Sequence, residues 1–140
     1  MKFNKTTLEN GLRIITVPQP NTVAFTALVL VETGSKYENK SNSGVAHFLE
    51  HMCFKGTEKR PEPNQVTLEL ENLGAQNNAF TSHEYTGYYA KVASTKAPKA
   101  LELVADLYIN PLLRQEDIDI EKGVIIEEIN MYEDMPQRKA

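Results

Sequence analysis

One run, Gly44-Val45-Ala46-His47-Phe48-Leu49-Glu50-His51-Met52, constrains this chain more than any other. It follows a loop-like stretch, Tyr37-Glu38-Asn39-Lys40-Ser41-Asn42-Ser43, and its apolar residues recur with helical rather than alternating spacing. In a helix, His47 and His51 stand one turn apart on the same face, with Glu50 flanking them. Asn42 or Ser43 is the expected cap, and Gly44 falls near the start, where it costs little. Val45, Phe48, Leu49 and Met52 are then free to face a core while the histidines and Glu50 face a cavity. Two neutral imidazoles at this spacing can reach one zinc ion at about 2.0–2.1 Å. A carboxylate beside them, not itself a ligand, is placed to accept a proton from water activated there. The order H-x-x-E-H reverses the common zinc-site order H-E-x-x-H. The same letters also suit an inert pair of histidines on an amphipathic helix.

The 140 residues suit one domain with a sizeable core. A hydrophobic share of 41% and a charged share of 24% are those of an ordinary soluble globular protein. The net charge of −4 offers no electrostatic footprint for nucleic acid. Cys53 is the one cysteine, which excludes an intrachain disulfide and fits a reducing compartment. It lies two residues past His51, on another side of the helix, so a small buried residue is expected there rather than a ligand. Met1 to Thr6 lacks the apolar core of a signal peptide and no run reaches transmembrane length, so a cytoplasmic protein without a membrane span is expected. Met131 to Ala140 stops without a clear terminal element, which predicts the start of a longer protein.

In chain order, Phe3–Leu8 and Leu12–Val17 read as strands joined by a turn at Glu9-Asn10-Gly11-Leu12. Thr22–Val31 is nearly continuously apolar, as in a strand buried on both faces. Gly56 is the expected C-cap after the histidine helix. Gln65–Leu73 reads as a short amphipathic helix stopped by Gly74. Residues 76–81 and 84–92 read as strands turning at Ser82-His83, with His83 an exposed turn residue. Ala97–Ile109 is helical on the period Leu101, Val104, Ala105, Tyr108, and Asn110-Pro111 breaks it. From Gln115 a last helix places Ile118, Glu121, Ile125, Glu128, Ile129 and Tyr132 on one face, with Glu127 pointing elsewhere. A carboxylate is seldom buried unless paired or bound to metal. Glu128 is therefore a candidate third ligand with Glu121 stacked behind it, unless both belong to a solvent-facing charged helix. The order predicts an α+β domain, helices packed on a largely antiparallel sheet.

These residues resemble the pitrilysin, or insulinase, family of zinc peptidases, close to its members that are like the mitochondrial processing peptidase. The resemblance covers Leu8-Glu9-Asn10-Gly11-Leu12-Arg13, His47 to Met52 with Phe54-Lys55-Gly56-Thr57, Asn78-Ala79-Phe80-Thr81, Glu84-Tyr85-Thr86, and Glu127-Glu128-Ile129 with Met131-Tyr132-Glu133. The 76 residues between His51 and Glu128 match the family's spacing to its third ligand. The resemblance implies an incomplete, processing-peptidase-like metallopeptidase N-terminal domain over residues 1–140, part of a longer two-domain chain. It implies Zn2+ on His47, His51 and Glu128, Glu50 as general base, and Glu121 as a second acid assisting activity. Asn78, Ala79, Phe80 and Thr81 match an edge strand to which a substrate peptide adds.

The function so implied is a zinc-dependent endopeptidase acting on extended peptides or unfolded polypeptides, with a homodimer or a related partner subunit expected. A non-catalytic assembly subunit is the alternative, although such relatives usually have a degraded motif. A structural zinc module would close its fourth position with Cys or His, and Cys53 is misplaced for that.

Overall fold

In the computed structural model, which describes residues 2–134, the Asn10-Gly11 turn closes a hairpin of β1 (Asn4–Thr7) and β2 (Arg13–Thr16). Gly11 sits at φ +86°, the left-handed conformation such a turn requires. The hairpin forms its own two-stranded sheet. The main sheet is antiparallel in the order β3 (Ala24–Val31), β5 (Thr86–Ala93), β4 (Gln76–Thr81), so β4 is an edge among the described residues. The described residues form four α-helices: α1 (Val45–Cys53), α2 (Gln65–Asn72), α3 (Ala97–Ile109) and α4 (Gln115–Glu133). The fold is α+β, as expected. The expectation about the chain's end lies, from residue 135 onward, outside the described residues. No described helix is long and apolar enough to cross a membrane.

The core lies between one sheet face and the helices. Register puts Val29, Tyr88 and Ala79 in one row and Ala27, Ala90 and Asn77 in the next. Beneath them pack Leu103, Val104 and Leu107 of α3 with Val66 and Leu70 of α2. Leu103 is wholly buried, and truncating such a side chain costs about 2–5 kcal/mol.

Several expectations are corrected. β3 is buried on one face only, since Thr26, Leu28 and Leu30 are exposed. A strand with helices on one side needs no second apolar face, so its continuous hydrophobic run overstated burial. On α3 the buried stripe is Ala100, Leu103, Val104 and Leu107, and Leu101 is exposed. Two apolar stripes overlap in that sequence, and the sheet selected the one with the small Ala100. Val45 and Leu49 are exposed, leaving Ala46, Met52 and Cys53 as the inner face of α1. Gly56 does not cap α1; it lies in the following loop at φ +121°, where a Cβ would come within 2.5 Å of the Pro61 carbonyl oxygen.

Candidate metal centre

α1 begins with a cap from farther off than Asn42 or Ser43. Gly44 takes φ +87°, and neither expected side chain caps the helix. Instead the amides of Gly44 and Ala46 donate to the two carboxylate oxygens of Glu38 at 2.7 and 2.9 Å. An anion at a helix N-terminus meets both the unpaired N–H groups and the positive end of the dipole. Those amides hold the Glu38 carboxyl below the usual carboxylate range.

One turn into α1, the His47 and His51 rings meet edge to face, with their Nε2 atoms 3.2 Å apart. α4 packs against α1 and brings Glu128 Oε2 to 3.7 Å from His47 Nε2 and 3.5 Å from His51 Nε2. Glu127 is exposed. The α4 face is thus the one expected from periodicity over its first half, with Ile118 and Ile125 half-buried, Glu121 buried and Glu128 half-buried. Farther along, Ile129 and Tyr132 are exposed.

The donor set fits a zinc ion. Tetrahedral ligands about 2.1 Å from a metal stand about 3.4 Å from one another. The separations of 3.2, 3.5 and 3.7 Å bracket that value. Among the described residues, His47, His51 and Glu128 are the one group of ligating side chains gathered this closely. Glu121 explains why His51 presents its Nε2. With Glu121 Oε1 2.9 Å from His51 Nδ1, a carboxylate, which can only accept, receives a hydrogen bond from Nδ1–H, keeps the ring proton there and leaves the Nε2 lone pair facing the site. Glu121 is buried, and its other oxygen pairs with the Lys55 ammonium. Burial alone raises its pKa, but Lys55 and His51 outweigh it and hold the carboxyl below the usual range.

Glu50 points to the opposite flank. Thr81, the last residue of β4, donates its hydroxyl to Glu50 Oε2 at 2.5 Å. Glu50, His51, Phe54, Lys55, Asn64 and Glu121 line a cavity of about 220 Å³. The edge strand β4 therefore runs directly to the carboxylate next to the donor cluster. Within that strand Ala79 faces the core, so packing under the helices accounts for its small side chain. Phe80 faces the other way and lies over Gly87 of β5, where an added Cβ would meet the ring at 2.3 Å. Cys53 is buried and donates to the Tyr88 hydroxyl at 3.5 Å; burial pushes its thiol pKa up, away from a ligating thiolate. His83 stays exposed in its turn, 2.8 Å from Ser35 Oγ.

Sequence reasoning missed two contacts of this cluster, the Thr81 hydroxyl on Glu50 and the Lys55 ammonium on Glu121. Lys55 carries a usable signal, because it continues the four-residue spacing of His47 and His51.

The insulinase family, peptidase family M16, matches residues 13–140. The β subunit of the mitochondrial processing peptidase of Bos taurus is 46% identical over 128 residues, which are 91% of this chain and 26% of that protein. An uncharacterized zinc protease of Streptomyces coelicolor is 42% identical over 132 residues, covering 94% of this chain and 28% of its own. The crystal structure of a protease from Helicobacter pylori aligns with a TM-score of 0.86 at 34% identity, over 91% of this chain and 30% of that one. Pitrilysin aligns with a TM-score of 0.79 at 30% identity, over 94% of this chain and 14% of its own. This chain spans about a quarter of the length of the curated relatives.

Proposed function

This chain belongs to the insulinase family of peptidases, and on that premise we propose that it bears the metal centre of a zinc-dependent endopeptidase acting on extended peptides or unfolded polypeptides. The observation that carries this reading is the cluster of His47, His51 and Glu128 donor atoms at tetrahedral separations. His47, His51 and Glu128 would hold the zinc ion, which would supply Lewis acidity toward water and the scissile carbonyl.

The chain's own residues do the rest. Glu50 is the general base: it takes the proton of the attacking water and returns it to the leaving amine nitrogen. Thr81 holds the Glu50 carboxylate in place through its hydroxyl. Glu121 fixes the tautomer of His51. Asn78, Ala79, Phe80 and Thr81 offer an edge to which an extended peptide adds as a further strand. Main-chain hydrogen bonds then hold it, with little demand on its side chains. The relatives named as β subunits make a related partner subunit, or a second copy, part of this proposal.

The test compares the full-length protein with its Glu50→Gln variant for zinc content and for cleavage of a quenched fluorescent peptide. One zinc in both, with cleavage reduced at least about 100-fold in the variant, is the expected result. Zinc in both without cleavage in either would instead mark a non-catalytic or partner-dependent subunit.

A further inference from the structure

α4 carries Glu128, yet its buried residues are both acids, Asp117 and Glu121. A helix so placed depends on its ionic contacts, and those nearest the site converge on one lysine. Lys55 lies just past the end of α1, and it is held at two points, by Glu121 of α4 and by Arg114, the N-cap residue of that helix. Its ammonium pairs with the Glu121 carboxylate, whose other oxygen is 2.9 Å from His51 Nδ1. Its backbone carbonyl accepts a hydrogen bond from Arg114 Nη2 at 2.8 Å. Arg114 is in turn fixed by Asp117, whose Oδ2 accepts from Nε at 2.6 Å. Arg114 is the N-cap residue of α4, in extended backbone, while Asp117 and Glu121 share one side of its first turns.

We propose that Lys55 is a positioning residue for the metal centre: held through its side chain by Glu121 and through its carbonyl by Arg114, it sets α1 against α4 and so brings Glu128 to the two histidines. This rests on the zinc reading above. The physical ground is the burial of Glu121, whose side chain is 3% exposed. Without the ammonium, a carboxylate in that setting keeps a single imidazole for its charge, and a buried ion with too few partners relaxes toward water. Such a movement displaces both the His51 ring it orients and the helix that carries it. Partners of this kind around a metal ligand typically change metal affinity 10- to 100-fold.

The test is zinc affinity, measured on the full-length protein by competition with a chromophoric chelator. Lys36 is the control cation, paired with Glu84 on the surface where both side chains are 58% exposed. Lys55→Met is expected to bind zinc at least about tenfold more weakly, and Lys36→Met to match wild type. Lys55→Arg, which keeps the cation, recovers most of the affinity. The double variant Lys55→Met/Glu121→Gln binds no more weakly than Glu121→Gln alone, because the lysine side chain acts through that carboxylate. Arg114→Gln removes the donor to the Lys55 carbonyl together with the Asp117 ion pair, leaves the Lys55 ammonium in place and is expected to weaken zinc binding too; it carries the test if Lys55→Met does not fold. Wild-type affinity in Lys55→Met, or in Arg114→Gln where that variant carries the test, overturns the inference and leaves the zinc reading intact. Additive losses in the double variant overturn it as well. A wild-type protein that takes up no zinc overturns the zinc reading and this inference with it.

Discussion

At the scale of single residues, Thr81 shows how a side chain chosen for one role in a strand takes on another. Its hydroxyl has neighbours on two sides, Glu50 at 2.5 Å and Thr86 Oγ1 at 3.3 Å. The Glu50 carboxylate can only accept and lies closer, so it takes the Thr81 hydrogen bond, while Thr86 donates to the Thr33 carbonyl at 3.1 Å. A hydrogen bond to a charged group is worth about 1.5–3 kcal/mol, enough to hold one carboxylate rotamer. Thr81→Val is therefore expected to lower kcat about tenfold, equivalent to about 1.4 kcal/mol, with KM little changed and zinc retained. Thr81→Ser should recover most of the rate. Steady-state kinetics decide it: a rise in KM at unchanged kcat would place Thr81 in peptide docking rather than in holding the base.

At the scale of elements, α1 shows how a short helix is made rigid enough to present two histidines. Its nine residues are fewer than an isolated helix needs in water, so its ends must be tied. The N-terminus is tied by Glu38, six positions before Gly44 and eight before Ala46, rather than by the adjacent Asn42 or Ser43. Removing a cap of this kind costs about 1 kcal/mol. Glu38→Ala should thus lower stability in urea titrations by about that amount, with an unchanged m-value. An unaltered midpoint would show that the loop backbone alone sets the helix start. The far end of α1 continues into Lys55 and its contact with Glu121 of α4, so His47 and His51 lie between two tied ends.

At the scale of the whole molecule, a second ionic assembly lies away from the metal centre. Arg60 is nearly buried and contacts Glu69 of α2 with Glu102 and Asp106 of α3. Asp106 also accepts from Thr57 Oγ1 at 2.7 Å and Asn110 Nδ2 at 2.8 Å. Burial pushes the Asp106 pKa up, but these donors and the guanidinium prevail and hold it below the usual range. A carboxyl depressed in the folded state contributes stability that is fully present above its unfolded pKa, about 3.9, and is lost as pH falls through the folded value. Apo protein should therefore lose stability steeply below pH ~4. Asp106→Asn should be less stable at neutral pH and flatter on the acid side, measured by urea unfolding across that range. An acid limb as steep in the variant would assign the loss to other carboxylates.

The local patterns were legible in the letters. The spacing of His47, Glu50 and His51, the Asn-Gly turn and the apolar period of α4 rest on contacts within a few residues, which any observer of the sequence can count. The face of α4 carrying Glu121 and Glu128 was legible for the same reason. Apart from Glu128 beside the two histidines, for which the family spacing supplied the distant partner, the letters left open the pairings between residues separated along the chain. Glu38 as the cap of α1, Thr81 against Glu50, Arg60 among three acids and Lys55 between Arg114 and Glu121 span from 6 to 66 residues. Which of two overlapping stripes on α3 is buried, and which face of β3, was likewise decided by the single layer of helices on the sheet. Periodicity determines which side chains share a face, but burial and charge pairing are properties of two surfaces together, and only the tertiary structure supplies the second one.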